Sequence, residues 1–198
     1  MSFTDNFGNP KGILGRIMFV SMDREHLPMA KWALDQINIP DSGRIADLGC
    51  GGGYNIKRML AMSAEAKLYG LDISDESVKK AKKVNKVELG RRVKIRKGSA
   101  EKLPFKDNSI DLMTAFETVF FWKEPEKAFA EIYRTLAAKG CFAVVNNYGD
   151  PNINWEKKVP CMTRYTAEQI SDMLISAGFA DISVNKKGNL FLVMGYKR

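Results

Sequence analysis

The chain has 198 residues, enough for one domain with a sizeable core, and its 45% apolar and 27% charged residues are the composition of an ordinary soluble globular protein. No window carries the roughly 20 uninterrupted apolar residues of a membrane span, Met1 to Arg16 lacks the apolar centre of a signal peptide, and three scattered cysteines (Cys50, Cys141, Cys161) make neither a disulfide framework nor a zinc site. The net charge of +8 is the one unusual bulk property, and a reducing cytoplasm is the expected compartment.

Gly8, Pro10, Gly12 and Gly15 argue against a long early helix and leave room for a short one over Ile13 to Met22. From Glu25 the pattern sharpens: Leu27, Ala30, Leu34 and Ile37 share a helical face, with Trp32 nearby. Pro40, Asp41 and Gly43 end that helix. The next stretch, Arg44 to Tyr54 (R-I-A-D-L-G-C-G-G-G-Y), is a short apolar strand, an acid at Asp47 and a glycine turn. A helix over Asn55 to Ala64 follows, with Ile56, Met59, Leu60 and Ser63 near helical spacing. Glycines at such a turn adopt positive φ and carry no Cβ to hold a ligand away, and the helix N-terminus behind them favours a polar or anionic group.

Lys67 to Asp72 reads as the second strand. Ser74 caps a helix reaching Val87, with Val78, Ala81, Val84 and Val87 inward and the lysines outside. Gly90 stops it, and Val93 to Lys97 is the third strand. Ten cations fall between Lys79 and Lys97. They read as a polyanion footprint or as the solvated face of a helix and the strand behind it; the lack of interleaved aromatics favours the second. After a loop over Gly98 to Asn108 come a fourth strand, Ile110 to Phe116, and a helix from Pro125 to Ala137 with Ala128, Phe129, Ile132, Tyr133 and Leu136 inward. Cys141 to Asn146 is the fifth strand. Thr166-Ala-Glu-Gln169 opens a helix with a capping-box pattern, its apolar face formed by Ile170, Leu174 and Ala177. Strands at Ile182 to Lys186 and Leu190 to Tyr196 flank Gly188-Asn189, a hairpin signal that implies antiparallel pairing at one edge. Strands alternating with helices imply an α/β fold with a mostly parallel sheet covered on both faces, and no linker marks a second domain.

The turn discriminates between ligands. A dinucleotide-binding fold wants G-x-G-x-x-G; Gly49 and Gly51 fit, but the third position holds Tyr54. The observed spacing is D-x-G-x-G-x-G, from Asp47 through Gly53, and an acid ahead of the turn suits a ligand with an ammonium group better than a pyrophosphate. On these residues the chain resembles the class I S-adenosylmethionine-dependent methyltransferases, and within them the methyltransferase type 11 group, over roughly Arg44 to Asn147. Three further motifs carry the resemblance: Tyr69-Gly-Leu-Asp-Ile-Ser74, Gly98-Ser-Ala-Glu-Lys-Leu-Pro-Phe105 and Ser109-Ile-Asp-Leu-Met-Thr-Ala-Phe-Glu117.

The resemblance implies a Rossmann-like, doubly wound, seven-stranded sheet with an antiparallel C-terminal hairpin, formed by residues 41–198 of a single domain, with residues 1–40 as a lid. It implies S-adenosylmethionine as methyl donor, S-adenosylhomocysteine as product and no metal. Asp47, Gly49, Cys50 and Gly51 would meet the amino-acid end of the donor, Asp72 the ribose hydroxyls and Ile73 the adenine face. Ser99, Ala100 and Glu101 would meet the adenine edge, and Phe116 would lie near the transferred methyl. Ser99 departs from the aspartate common at that position, so Glu101 competes with it for the adenine amino group. Asp111 reads as structural.

Methyl transfer from a sulfonium is an in-line displacement needing mainly alignment and exclusion of water, with a base only where the acceptor keeps a proton. His26, the only histidine, belongs to the one side-chain type whose ordinary titration lies near neutrality. His26 and Glu117 are the candidate catalytic residues; a surface or structural role is the plain alternative for each. Phe120, Phe121, Trp122, Trp155 and Tyr165 are candidates for the acceptor pocket, or for packing under a loop. The expected acceptor is a small molecule, the protein acting as a monomer or homodimer. An RNA acceptor on the basic 79–97 face and a non-catalytic donor-binding module are the alternatives.

Overall fold

A computed structural model describes residues 26–149, 157, 159 and 161–198. The expectations for 1–25 and for Trp155 lie outside the described residues. Seven strands, β1 (Arg44–Leu48), β2 (Lys67–Asp72), β3 (Val93–Lys97), β4 (Ile110–Phe116), β5 (Leu136–Asn147), β6 (Ala180–Lys187) and β7 (Leu190–Tyr196), form one sheet in the order β3-β2-β1-β4-β5-β7-β6. The first five pair in parallel, and β7 runs antiparallel between β5 and β6. The chain winds outward from β1 to β3, then returns to lay β4 on the other side of β1. That reversal opens a crevice beyond the carboxyl ends of β1 and β4.

The helices are α1 (26–34), α2 (Tyr54–Ala61), α3 (Asp75–Val84), α4 (Pro125–Thr135) and α5 (Ala167–Ser176), with a 3₁₀ turn at Val119–Phe121. They bury the sheet on both faces, which is why the central strands read as unbroken apolar runs. Along β5 the alternation is explicit: Phe142 and Val144 join one cluster with Phe129 and Ile132 of α4 and Ile170 and Leu174 of α5. Ala143 and Val145 join the other, with Met29 and Leu34 of α1, Ile56 and Met59 of α2 and Val78 and Ala81 of α3.

The capping box at Thr166 forms in both directions: Thr166 Oγ1 accepts from Gln169 N at 3.1 Å, and Gln169 Oε1 accepts from Thr166 N at 2.8 Å, an arrangement worth about 1 kcal/mol. Several helices end sooner than periodicity predicts. α3 stops at Val84 because the Asn85 side chain donates to the carbonyls of Ala81 and Gly53, at 3.0 and 2.9 Å; Val87 therefore lies outside the helix, 73% exposed. α4 stops at Thr135 because Leu136 already pairs with Ile110 in the sheet. α2 stops at Ala61. On α1 the buried face runs through Met29, Ala30, Ala33 and Leu34, with Ile37 buried in the turn just beyond it and Leu27 exposed on the far side.

Candidate active site

The glycine turn joins β1 to α2 with Gly49, Gly51 and Gly53 all at positive φ (70°, 50° and 75°), where a Cβ is costly. Their surroundings differ. A Cβ on Gly53 would lie 2.7 Å from the Ala81 Cβ, so α3 packs directly on the turn; one on Gly49 would overlap Thr118 Oγ1, so the loop after β4 closes on it from the other side. A Cβ on Gly51 would meet nothing and would project into open space.

The backbone N–H groups of the turn are mostly spent within the protein. Gly49 N and Cys50 N donate to Leu71 O at 2.8 and 2.9 Å, and Gly53 N donates to Cys50 O at 2.8 Å. Gly51 N donates to Asp72 Oδ2 at 2.8 Å, while Ser74 N donates to Asp72 Oδ1 at 2.9 Å. Asp72 is thereby held across the turn by one N–H on each oxygen. What faces the crevice is carboxylate, the reverse of a phosphate-binding loop.

Asp47, at the end of β1, is 2% exposed and accepts from Thr114 Oγ1 of β4 at 2.8 Å. Burial raises its pKa to about 7; the Thr114 hydrogen bond opposes that rise and the charge of Asp72 adds to it. Burial raises Asp72 too, against its backbone hydrogen bonds. Cys50, buried beside both acids, has its thiol pushed well above the ordinary range, first by burial and then by their charges, so it stays protonated and unreactive.

A cleft of about 460 Å³ opens here, within the usual range for small-molecule sites. Asp47, Gly49, Cys50, Gly51, Asp72 and Ile73 line it, as do Ser99, Ala100, Glu101 and Phe116. Ile73 is 51% exposed, a large apolar side chain left open at the cleft wall. His26 and Glu117 also line the cleft and meet there, His26 Nε2 to Glu117 Oε2 at 3.3 Å. Glu117 adopts φ 53° and accepts from Asn147 N at 2.9 Å through its other oxygen. A non-glycine residue held in that conformation stores strain of a kind concentrated at functional sites. Burial raises its carboxyl pKa, and the His26 charge and the Asn147 hydrogen bond act against that rise.

Phe121 and Trp122 reach the cleft, but Phe120 and Tyr165 do not. The 3₁₀ turn sets the difference: it directs Val119 and Phe120 into the core, with Phe120 3% exposed, and Phe121 into the cleft. Tyr165 packs half-buried against the core cluster. The Ser99 hydroxyl donates to Glu101 Oε2, so the two candidates for one ligand contact are bonded to each other. Burial would raise Glu101, but that hydrogen bond and those from backbone N–H groups outweigh it and leave the carboxyl below its ordinary value.

The sequence reading missed Arg58, Thr114, Thr118 and Lys123. Arg58 lies four residues beyond Tyr54, one turn into α2, and both line the cleft; helical spacing carries that signal. Thr114 is read as an ordinary strand residue until β4 is known to pair with β1. Asp111 is structural, accepting from Arg44 N at 2.7 Å. No helix among the described residues is long and apolar enough to cross a membrane.

Residues 46–144 match the family described as Methyltransferase domain. An uncharacterized methyltransferase of Bacillus subtilis, YdaC, is 26% identical over 166 residues, covering 84% of this chain and 87% of that protein. A demethylmenaquinone methyltransferase of Lactiplantibacillus plantarum is 34% identical over 113 residues, 56% of this chain; the chain spans 48% of that relative's length. Among solved structures, a chain of the Haloferax volcanii complex of a methyltransferase with the Trm112 methyltransferase activator superposes with a TM-score of 0.80 at 22% identity, covering 98% of this chain and 97% of its own. An Aquifex aeolicus SAM-dependent methyltransferase gives a TM-score of 0.77 at 22% identity, covering 91% and 97%. These two likenesses are ones of fold.

Proposed function

This chain belongs to the methyltransferase domain family, and on that premise we propose that it transfers a methyl group from S-adenosylmethionine to a small-molecule acceptor. The observation that carries the reading is the pair of buried carboxylates, Asp47 and Asp72, at the ends of neighbouring strands on one cleft. The residues fit the donor. Gly51 leaves room that any side chain would take. The N–H groups of Gly49, Cys50, Gly51 and Gly53 are bonded internally, so acceptors rather than donors meet the ligand's ammonium and hydroxyl groups.

In this reading Asp47 takes the ammonium of the donor and Arg58 its carboxylate, with the backbone of Gly49, Cys50 and Gly51 beside them. Asp72 takes the ribose hydroxyls. The exposed Ile73 covers one face of the adenine, whose edge meets Ser99, Ala100 and Glu101. When bound, S-adenosylmethionine supplies an electrophilic methyl group on a positively charged sulfur. The protein aligns an acceptor with that methyl and keeps water away, the aromatic wall of Phe116, Phe121 and Trp122 serving both ends. Within one domain α1 acts as a cover, contributing His26 and Met29 to the cleft wall.

The basic face supports an RNA acceptor less well than its composition suggests. Arg92 donates to the carbonyls of Ala66 and Ser63, Lys97 pairs with Asp75 at 2.7 Å, Arg91 pairs with Glu88 at 3.4 Å and Lys80 stands over the Tyr54 ring. Calorimetry with S-adenosylmethionine and S-adenosylhomocysteine tests the donor assignment. Micromolar binding of either, weakened at least ten-fold by Asp72→Ala, is expected; failure of both to bind would remove the reading.

A further inference from the structure

We propose that His26 and Glu117 form a proton-accepting pair, and that the acceptor is a small amine which enters as its ammonium form. This rests on the methyl-transfer reading and gives that site its substrate class.

Three observations converge. The first is the pair itself. Glu117 stands directly after β4 in a left-handed backbone conformation, with one oxygen fixed by Asn147 N and the other 3.3 Å from His26 Nε2. With its proton on Nε2, donated to Glu117, the imidazole has its lone pair on Nδ1. The His26 side chain is 37% exposed and that of Glu117 20%, so the histidine is the more accessible member. His26 is the base, and Glu117 is a positioning residue that acts through it by stabilising the imidazolium.

The second is the charge of the cleft. The chain carries +8 overall, yet Asp47, Asp72, Glu101 and Glu117 line the cleft against Arg58 and Lys123 among the described residues. In the donor reading Asp47 faces the donor's ammonium and Arg58 its carboxylate, which leaves Asp72, Glu101 and Glu117, from β2, the loop after β3 and the end of β4, against Lys123. An anionic acceptor would be repelled, whereas an ammonium is attracted. The third is that Phe116, Phe121 and Trp122 line the cleft, and aromatic rings attract a cation.

The step balances. An ammonium proton passes to His26 Nδ1 and frees the nitrogen lone pair. The N–C bond then forms as the C–S bond breaks, the bonding electrons remaining on sulfur. The product is a methylated ammonium, and the proton leaves His26 for solvent. A thiolate or carboxylate acceptor would need none of this.

The experiment uses the full chain loaded with S-adenosylhomocysteine and calorimetric titration with benzylamine, cyclohexylamine and benzyl alcohol. At least one amine should bind ten-fold or more tightly than the alcohol, and Glu117→Gln, which keeps an oxygen for Asn147 N, should abolish that preference. His26 is the only histidine, so its imidazole NMR signal is unambiguous. Benzylamine should shift that signal in the wild type and leave it in place in Glu117→Gln. An alcohol bound as well as the amines, an amine affinity indifferent to Glu117→Gln, or a histidine signal that benzylamine leaves in place in the wild type would overturn the proposal. If S-adenosylhomocysteine itself fails to bind, the donor assignment falls first, and the two failures are told apart.

Discussion

Asp47 and Thr114 stand opposite each other in the β1–β4 register, and Thr114 Oγ1 donates to Asp47 Oδ1 at 2.8 Å with both side chains buried. The hydroxyl therefore fixes which way the carboxylate points and helps to keep it ionised. Thr114→Val keeps the shape and removes the donor. The expected outcome is a five- to twenty-fold loss of S-adenosylhomocysteine affinity at pH 7, equivalent to about 1–2 kcal/mol for a hydrogen bond to a charged group. Thr114→Ser should restore it. Calorimetry on the three proteins decides.

Asp47 also predicts a pH dependence. Its pKa rises from 3.8 to about 7 on folding, so the folded chain holds a proton that the unfolded chain has lost across that window. Stability contributed by this group is complete below pH 3.8 and is lost as pH rises to about 7, by at most about 4 kcal/mol. Asp72 and Glu117 are raised in the same sense, so the comparison is between wild type and Asp47→Asn. The variant should show a flatter melting temperature between pH 4 and 7. Donor binding runs the opposite way, because an ammonium needs the ionised acid: wild-type affinity should fall up to ten-fold per unit below pH 7. In Asp47→Asn it should be weak and independent of pH.

Gly53→Ala tests the packing of α3 on the turn. The new Cβ would lie at φ 75° and 2.7 Å from the Ala81 Cβ, with strain and overpacking both costing. A loss of about 2–4 kcal/mol in urea unfolding is expected. Gly51→Ala meets no atom and should cost less stability, at about 1 kcal/mol, while intruding on the ligand.

Phe120 and Phe121 should separate cleanly. Phe120→Ala opens the core and should lose about 3–5 kcal/mol. Phe121→Ala, at the cleft wall, should shift the melting temperature little but raise the acceptor KM, read in steady-state methyl transfer.

Much of the cleft built on the glycine turn was legible in the chain. A strand, an acid and glycines at fixed spacing specify the turn, because only glycine tolerates those φ values and close approaches, and every residue expected to meet the donor, from Asp47 to Glu101, lines the cleft. The capping box and the final hairpin were legible for the same local reason. What could not be read depends on contacts between distant segments. Nothing near Thr114 in sequence announces Asp47, and nothing near His26 announces Glu117, 91 positions later. Phe120 and Phe121 are equivalent by composition; a 3₁₀ turn sends one to the core and the other to the cleft.

The contact between Gly49 and Thr118 bears on how such a protein can be redesigned. Because any side chain at 49 would collide with the Thr118 hydroxyl, the turn proposed to hold the donor and the loop proposed to border the acceptor are a single mechanical unit. Grafting a foreign loop after β4 to change the acceptor would disturb donor affinity unless a residue no larger than threonine returns to position 118. Libraries aimed at new acceptors should hold Gly49 and Thr118 fixed and vary Phe121, Trp122 and Lys123 beyond them.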